Sequence, residues 1–251
     1  MLLGVSPVFA SGSSVYEVEP TRDIALTSVA LGIGGGAYLF AKDWIRPSCP
    51  CDPNAINSWD RIAIGNNSSL ARGLSDLGVG VAFLAFPVFD FMDLGFSSPL
   101  FEDAVVFSKS MAVSFALVSL SKHFIQRPIP RVVSGQSPEL IQDPQGYRSF
   151  YSAHTALAFT ALSAGAMTLQ YRYHFGVWPW VITGALGTGV AVARVLGGAH
   201  YPSDVLVGAA MGVLTGITIP WLHRRKDQVE NAVFLLPTRM GGLQWVIVKA
   251  W

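Results

Sequence analysis

An arginine, a histidine and an aspartate stand at fixed spacing in the stretch A-R-V-L-G-G-A-H-Y-P-S-D, residues 193–204. His200 and Asp204 are four apart and flank Pro202, so a helix that starts near Tyr201 or Pro202 brings a carboxylate in its first turn within reach of the imidazole. A carboxylate on one ring nitrogen fixes the tautomer and leaves the other nitrogen with a free lone pair, the arrangement of a nucleophile. Arg194 adds a permanently charged fork that suits a phosphate group. The same residues also fit a blander reading, a rim histidine and an arginine whose stem lies along apolar surface. The elements that carry them decide between the two.

Those elements are set by an unusual composition. Apolar residues make up 51% of the 251 and charged residues only 13%, about half the usual charged share, which points to one membrane-embedded domain rather than one or two soluble ones. A net charge of +1 gives no electrostatic case for nucleic acid. The two cysteines, Cys49 and Cys51, lie one residue apart in a proline-rich loop, a spacing awkward for a mutual disulfide and too sparse for a metal site.

Uncharged apolar runs give six candidate spans. The first covers residues 24–40, and a loop rich in Pro, Asn and Asp follows over 45–70, where Asp60 and Arg61 are expected to face solvent. The second, 74–91, is interrupted by Asp76, Pro87 and Asp90, and the third, 102–124, carries Lys109. An unpaired ammonium in a bilayer is costly, so Lys109 is expected to pair with Asp90 or Asp93. The fourth, fifth and sixth cover 155–171, 175–193 and 205–222. Only the last two approach the customary length of about 20 apolar residues. A soluble helical core is the alternative, opposed by the scarcity of amphipathic segments with a charged face.

Residues 1–22 read as a lead whose first ten residues look like the end of a secretory signal without its basic start. Residues 23–226 read as the helical membrane domain, closed by the basic stop His223, Arg224, Arg225 and Lys226. Residues 227–251 form a tail whose short apolar runs around Pro237 and Gly241-Gly242 suggest a hairpin.

In a serial six-span protein, the ends of spans three and five share a membrane face with the starts of spans four and six. Lys122, Arg127 and Arg131 follow span three, Ser152 and His154 open span four, Arg194 closes span five, and His200 and Asp204 open span six. Two helix N-termini offer free N–H donors and positive dipole ends to a phosphate. The surrounding cations add charge-assisted bonds. One neutral histidine can attack phosphorus while another protonates the leaving alkoxide.

These residues resemble the type 2 phosphatidic acid phosphatase (PAP2) family, which shares a helical core with vanadium haloperoxidases and bacterial acid phosphatases. The family's third motif, S-R-x5-H-x3-D, matches Arg194, His200 and Asp204, with Ala193 in place of its serine. Its second, P-S-G-H, stands as Tyr151-Ser152-Ala153-His154. Its first, K-x6-R-P, begins at Lys122 and reaches Pro130, but the motif arginine falls on Ile129, with Arg127 and Arg131 two residues to either side. The resemblance implies an all-α bundle of six transmembrane helices with a short hairpin-like tail. His200 would be the nucleophile that forms a phosphohistidine, Asp204 its orienting partner, and His154 the acid for the leaving group and then the base for water. Lys122, Ser152, Arg194 and the Ala153 amide would hold the phosphoryl oxygens, with Arg127 or Arg131 replacing the missing arginine. No cofactor or metal is implied, and the arginines would repel a metal at His154, His200 and Asp204.

The partner implied is a lipid phosphate, because a phosphate site at the rim is best reached by a molecule whose tail stays in the bilayer. Phosphatidic acid, phosphatidylglycerol phosphate, undecaprenyl diphosphate and a lipid A phosphate all qualify. The resemblance implies a bacterial inner-membrane protein with its site facing the periplasm. The departures at Ile129, Ala153 and Ala193 leave a second expectation, a weakened relative that binds lipid phosphates with little turnover.

Overall fold

The computed structural model describes residues 13–49, 51–226, 231–237 and 243–249. The signal-like residues 1–10 and the glycine pair of the tail lie outside them. In chain order the helices are α1 (Pro20–Leu39), α2 (Ala41–Trp44), α3 (Ser69–Leu94), α4 (Ser98–Ile125), α5 (Pro130–Val133), α6 (Ala153–Tyr173), α7 (Trp178–Leu196) and α8 (Pro202–His223). Strands β1 (Asn231–Pro237) and β2 (Leu243–Lys249) then pair antiparallel, Asn231 opposite Lys249 and Pro237 opposite Leu243.

Local signals set the helix starts. The Ser68 hydroxyl accepts from the Ala71 amide, and the Ser97 hydroxyl from the Leu100 amide, capping α3 and α4. Proline stands in the first turn of α1, α4, α7 and α8, where its missing N–H is harmless. Helices α1, α3, α4, α6 and α8 each begin before the apolar run expected for them, because capping residues and polar first turns belong to the helix although they contribute nothing to hydropathy, whereas α7 begins three residues after its run.

Among the described residues four segments are long and apolar enough to cross a membrane: Ser69–Leu94, Ser98–Val133, Trp178–Leu196 and Pro202–His223. The second and third expected spans are therefore longer than their interrupting charges suggested. Large apolar side chains are exposed along them, among them Leu77, Leu84, Ile182, Leu186, Leu206 and Leu214, a surface suited to lipid rather than water. The central helix α6 is different in kind. It packs against α8, α7, α3 and α4 and buries Ala156, Ala158, Ala161, Ala164 and the hydroxyls of Thr160 and Ser163, so its surroundings are other helices.

The closest approach in the bundle is between α6 and α8. Gly208, Gly212 and Gly216 recur every fourth residue, and a Cβ at Gly208 or Gly216 would lie 2.9 Å from the Ser152 carbonyl or 2.7 Å from the Thr160 carbonyl. Small residues at this spacing let helix backbones meet. The register they set places the start of α8 against the start of α6.

Two buried charge groups occupy the opposite end of the bundle. Lys109 pairs with Asp23 of α1 at 2.7 Å, not with Asp90 or Asp93, and His223 stands 3.3 Å from the same carboxylate. Asp90 instead shares Arg172 with Asp103. His223 is thus the buried last residue of α8. Helix α1 packs along α4, which brings Asp23 to Lys109 and leaves Asp90 to the arginine of α6.

Candidate active site

The turn into α8 builds the surroundings of His200. Gly198 adopts a positive φ of 65°, a conformation open to glycine, and reverses the chain between α7 and His200. Pro202 is the first residue of α8, and Asp204 reaches back to accept the Tyr201 amide at 2.9 Å. The buried His200 Nδ1 lies 2.8 Å from the Ser149 carbonyl. A carbonyl can only accept, so Nδ1 carries the proton and Nε2 keeps its lone pair. Asp204 lies 3.8 Å from Nδ1, beyond hydrogen-bond distance, and accepts instead from the Ser149 hydroxyl. The expected direct aspartate–histidine contact is therefore replaced by one routed through Ser149. Burial, together with the Lys122 and Arg194 charges, pushes the His200 imidazole down to about 3 against the pull of Asp204, which keeps it neutral.

His200 and His154 line one cavity of about 310 Å³. Lys122, Arg131, Arg148 and Arg194 line it too, as do Ile129 and Ala153, and no carboxylate does. Lys122 is buried and donates to the Arg148 carbonyl. Arg131 Nε, Arg148 Nη1 and Arg194 Nε are buried without a hydrogen-bond partner, which is expensive for charged donors unless an anion meets them. Tyr38, at the end of α1, covers Arg148 with the guanidinium carbon 4.4 Å from its ring centre. Burial draws the Arg148 guanidinium below its ordinary value.

Arg127 and Ser152, expected to touch phosphate, stand behind the cavity wall. Arg127 bonds Asp204 at 2.6 Å, Asp60 at 2.7 Å and the Ser203 hydroxyl at 2.8 Å, and it stacks on Tyr201. Asp60, expected in solvent, is fully buried and also accepts from the Ser203 amide at 2.9 Å. Burial opposes its ionisation, but Arg127 and Ser203 prevail and hold it below the usual carboxylate range. The Ser152 hydroxyl is taken by Thr155, whose amide and hydroxyl lie 3.4 and 3.0 Å away, as the N-cap of α6. Its own amide donates to the Asp204 carbonyl at 3.2 Å.

His154, in the first turn of α6, meets Asp76 of α3, with Nε2 2.9 Å from Oδ1. Arg194 approaches the same oxygen at 3.4 Å and the Ser75 hydroxyl at 3.2 Å. Sequence reasoning used Asp76 only as an interruption of span two and gave no site role to Arg148 or Ser149. Their partners are remote in sequence, so no periodicity exposes them. Cys49 and Cys51 form a disulfide on this face, with Cα atoms 4.4 Å apart, at the short end of the range a disulfide spans. The loop folds tightly enough to bring them there, and the Cys49 amide donates to the Tyr147 hydroxyl at 3.0 Å.

The helical bundle gathers two imidazoles and four cations around one cavity, surroundings that suit a phosphate anion. The PAP2 superfamily model matches residues 103–228, from α4 to just past α8, and the chain belongs to that family. With its four long apolar helices it is an integral membrane protein. It is 37% identical over 87 residues to the Bacitracin transport permease protein BcrC of Bacillus licheniformis, a match over 35% of this chain and 39% of that protein. No solved structure gives a significant match.

Proposed function

We propose that this chain is a lipid phosphate phosphatase that works through a phosphohistidine at His200 and needs no metal. The observation that carries the reading is the single cavity lined by both histidines and by three arginines that each keep a buried N–H group without a partner. The His200 Nε2 lone pair attacks phosphorus, the bond to the leaving oxygen breaks, and His154 gives that oxygen a proton. His154 then takes a proton from water as its oxygen bonds phosphorus and the P–N bond breaks. Lys122, Arg131, Arg148 and Arg194 stabilise the oxygens of the five-coordinate phosphorus. Asp204 acts through Ser149 and Arg127 to hold the loop that carries His200.

The weakened-relative reading loses ground to the geometry. Ile129 occupies the motif position, yet Arg131 lines the same cavity two residues on, and Arg148 adds a guanidinium from the loop before α6. Beside the cavity lies an apolar groove of about 670 Å³ between α1, α3 and α4, which shares Phe115 and Leu157 with it. That adjacency supports a substrate with an acyl or prenyl chain: phosphatidic acid, phosphatidylglycerol phosphate, undecaprenyl diphosphate or a lipid A phosphate.

Residues 23–226 are read as a unit of six crossings. Besides the four apolar helices, α1 exposes Ile24, Val29, Leu31 and Ile33, and α6 is enclosed by its neighbours. The disulfide on the site face supports an oxidising, periplasmic exposure in a bacterial inner membrane. Arg224, Arg225 and Lys226 beyond α8 favour a cytoplasmic opposite face.

The test is phosphate release from those four lipid phosphates in detergent with chelator present. Wild type is expected to release phosphate from at least one, and His200→Ala to lose roughly 10³-fold or more. No release by wild type from any of them, or equal release by the variant, overturns the reading.

A further inference from the structure

We propose that Asp76 is the positioning residue of the proton-transfer histidine, holding His154 by one ring nitrogen so that the other faces the leaving oxygen. The inference rests on the phosphatase reading. Its starting point is an anomaly of placement: Asp76 belongs to α3, one of the helices long and apolar enough to span, and its side chain is 61% exposed. It shares the edge of the apolar groove with Val79, Phe83 and Leu84. A carboxylate among such residues is costly unless it is paired and used.

Its pairing is specific. Oδ1 lies 2.9 Å from His154 Nε2 and 3.4 Å from Arg194 Nη1, so one oxygen ties the first turn of α6 to the last turn of α7. The charges around His154 explain the need. Lys122 faces it from α4, Arg194 from α7, Arg131 and Arg148 from the preceding segment, and neutral His200 from the turn into α8. Every formal charge in that lining is positive, and such a lining disfavours an imidazolium. A donor of protons to the leaving group must nevertheless be charged before the bond breaks. The Asp76 carboxylate supplies the opposing charge at the cavity's edge. When His154 passes its proton to the leaving oxygen and later recovers one from water, Asp76 keeps its hold on the same ring nitrogen.

The test is the pH dependence of kcat with phosphatidic acid micelles, and with undecaprenyl diphosphate in parallel, for wild type, Asp76→Asn and Asp76→Glu. Asp76→Asn is expected to lower kcat at least about tenfold with KM changed less than about threefold. Its alkaline limb should move to lower pH, because the imidazolium has lost its carboxylate, and Asp76→Glu should restore much of both. A purely structural role would lower the active fraction and leave the limb in place. An unchanged kcat, or a fall in kcat without movement of the limb, overturns the assignment while wild-type hydrolysis keeps the phosphatase reading intact. Absence of hydrolysis by wild type overturns that reading and this inference with it.

Discussion

At the scale of residues, the site separates groups that line the cavity from groups that stand behind its wall. Arg131 and Arg127 flank the same motif position, yet only Arg131 lines the cavity. Arg131→Ala should lower kcat/KM roughly 10- to 100-fold, the worth of one charge-assisted hydrogen bond, with little change in thermal midpoint. Arg127→Ala should do the reverse first, destabilising the fold by about 3 kcal/mol because it strands Asp60 and Asp204 as buried unpaired carboxylates. Kinetics and thermal unfolding of the two variants, side by side, check this contrast. His200 carries a further prediction. Its folded pKa of about 3 lies below the ordinary 6.5 of an accessible histidine, so the unfolded chain takes up the proton first. Its contribution to stability is complete above pH 6.5 and is lost progressively as pH falls toward 3. NMR of ring-labelled histidine should find one imidazole that stays neutral from pH 8 to pH 5, missing in His200→Gln. Type and spacing marked His154, Arg194, His200 and Asp204 in the sequence. Asp76, Ser149 and Asp60 escaped because an isolated Asp or Ser carries no signature until folding supplies its partner.

At the scale of elements, apolar runs located every long helix but trimmed the starts of α4, α6 and α8, since Ser97, Ser152 and Pro202 begin helices without adding hydropathy. The rule that successive helices alternate direction was enough to bring Lys122, His154, Arg194 and His200 to one face. It left out α1 and α3, which contribute Tyr38 and Asp76 to that face. The glycine repeat of α8 was legible and unused, and it sets the distance between the starts of α6 and α8. Gly212→Ala brings a Cβ onto the Ala156 carbonyl and should cost about 1–3 kcal/mol. Gly212→Leu should push α8 off α6 and abolish phosphate release even in the fraction that remains folded. Thermal midpoints in detergent with turnover per folded molecule measure both, and a Gly212→Leu protein of wild-type activity would contradict the register described.

At the scale of the whole molecule, charges are distributed by purpose. Buried ion pairs around Lys109 and Arg172 tie one end of the bundle together, while three arginines with unpartnered buried donors line the cavity at the other. Composition had announced a membrane domain, but the pairing of Lys109 with Asp23 required the α1–α4 contact, which no local pattern encodes. The proposed orientation places the disulfide-bearing face outside. In a chain with both native cysteines replaced by serine, Trp59→Cys should react with an impermeant maleimide on intact spheroplasts, and Phe175→Cys only after lysis. The reverse pattern would invert the topology. The central claim is that His200 bonds to phosphorus, and trapping that bond tests it most directly. With phosphate-labelled phosphatidic acid and undecaprenyl diphosphate, quenched in alkali where phosphohistidine survives, wild type and His154→Ala should carry label on the peptide containing His200, and His200→Ala should carry none. Label on another residue, or hydrolysis by wild type that never labels the protein, would contradict the account.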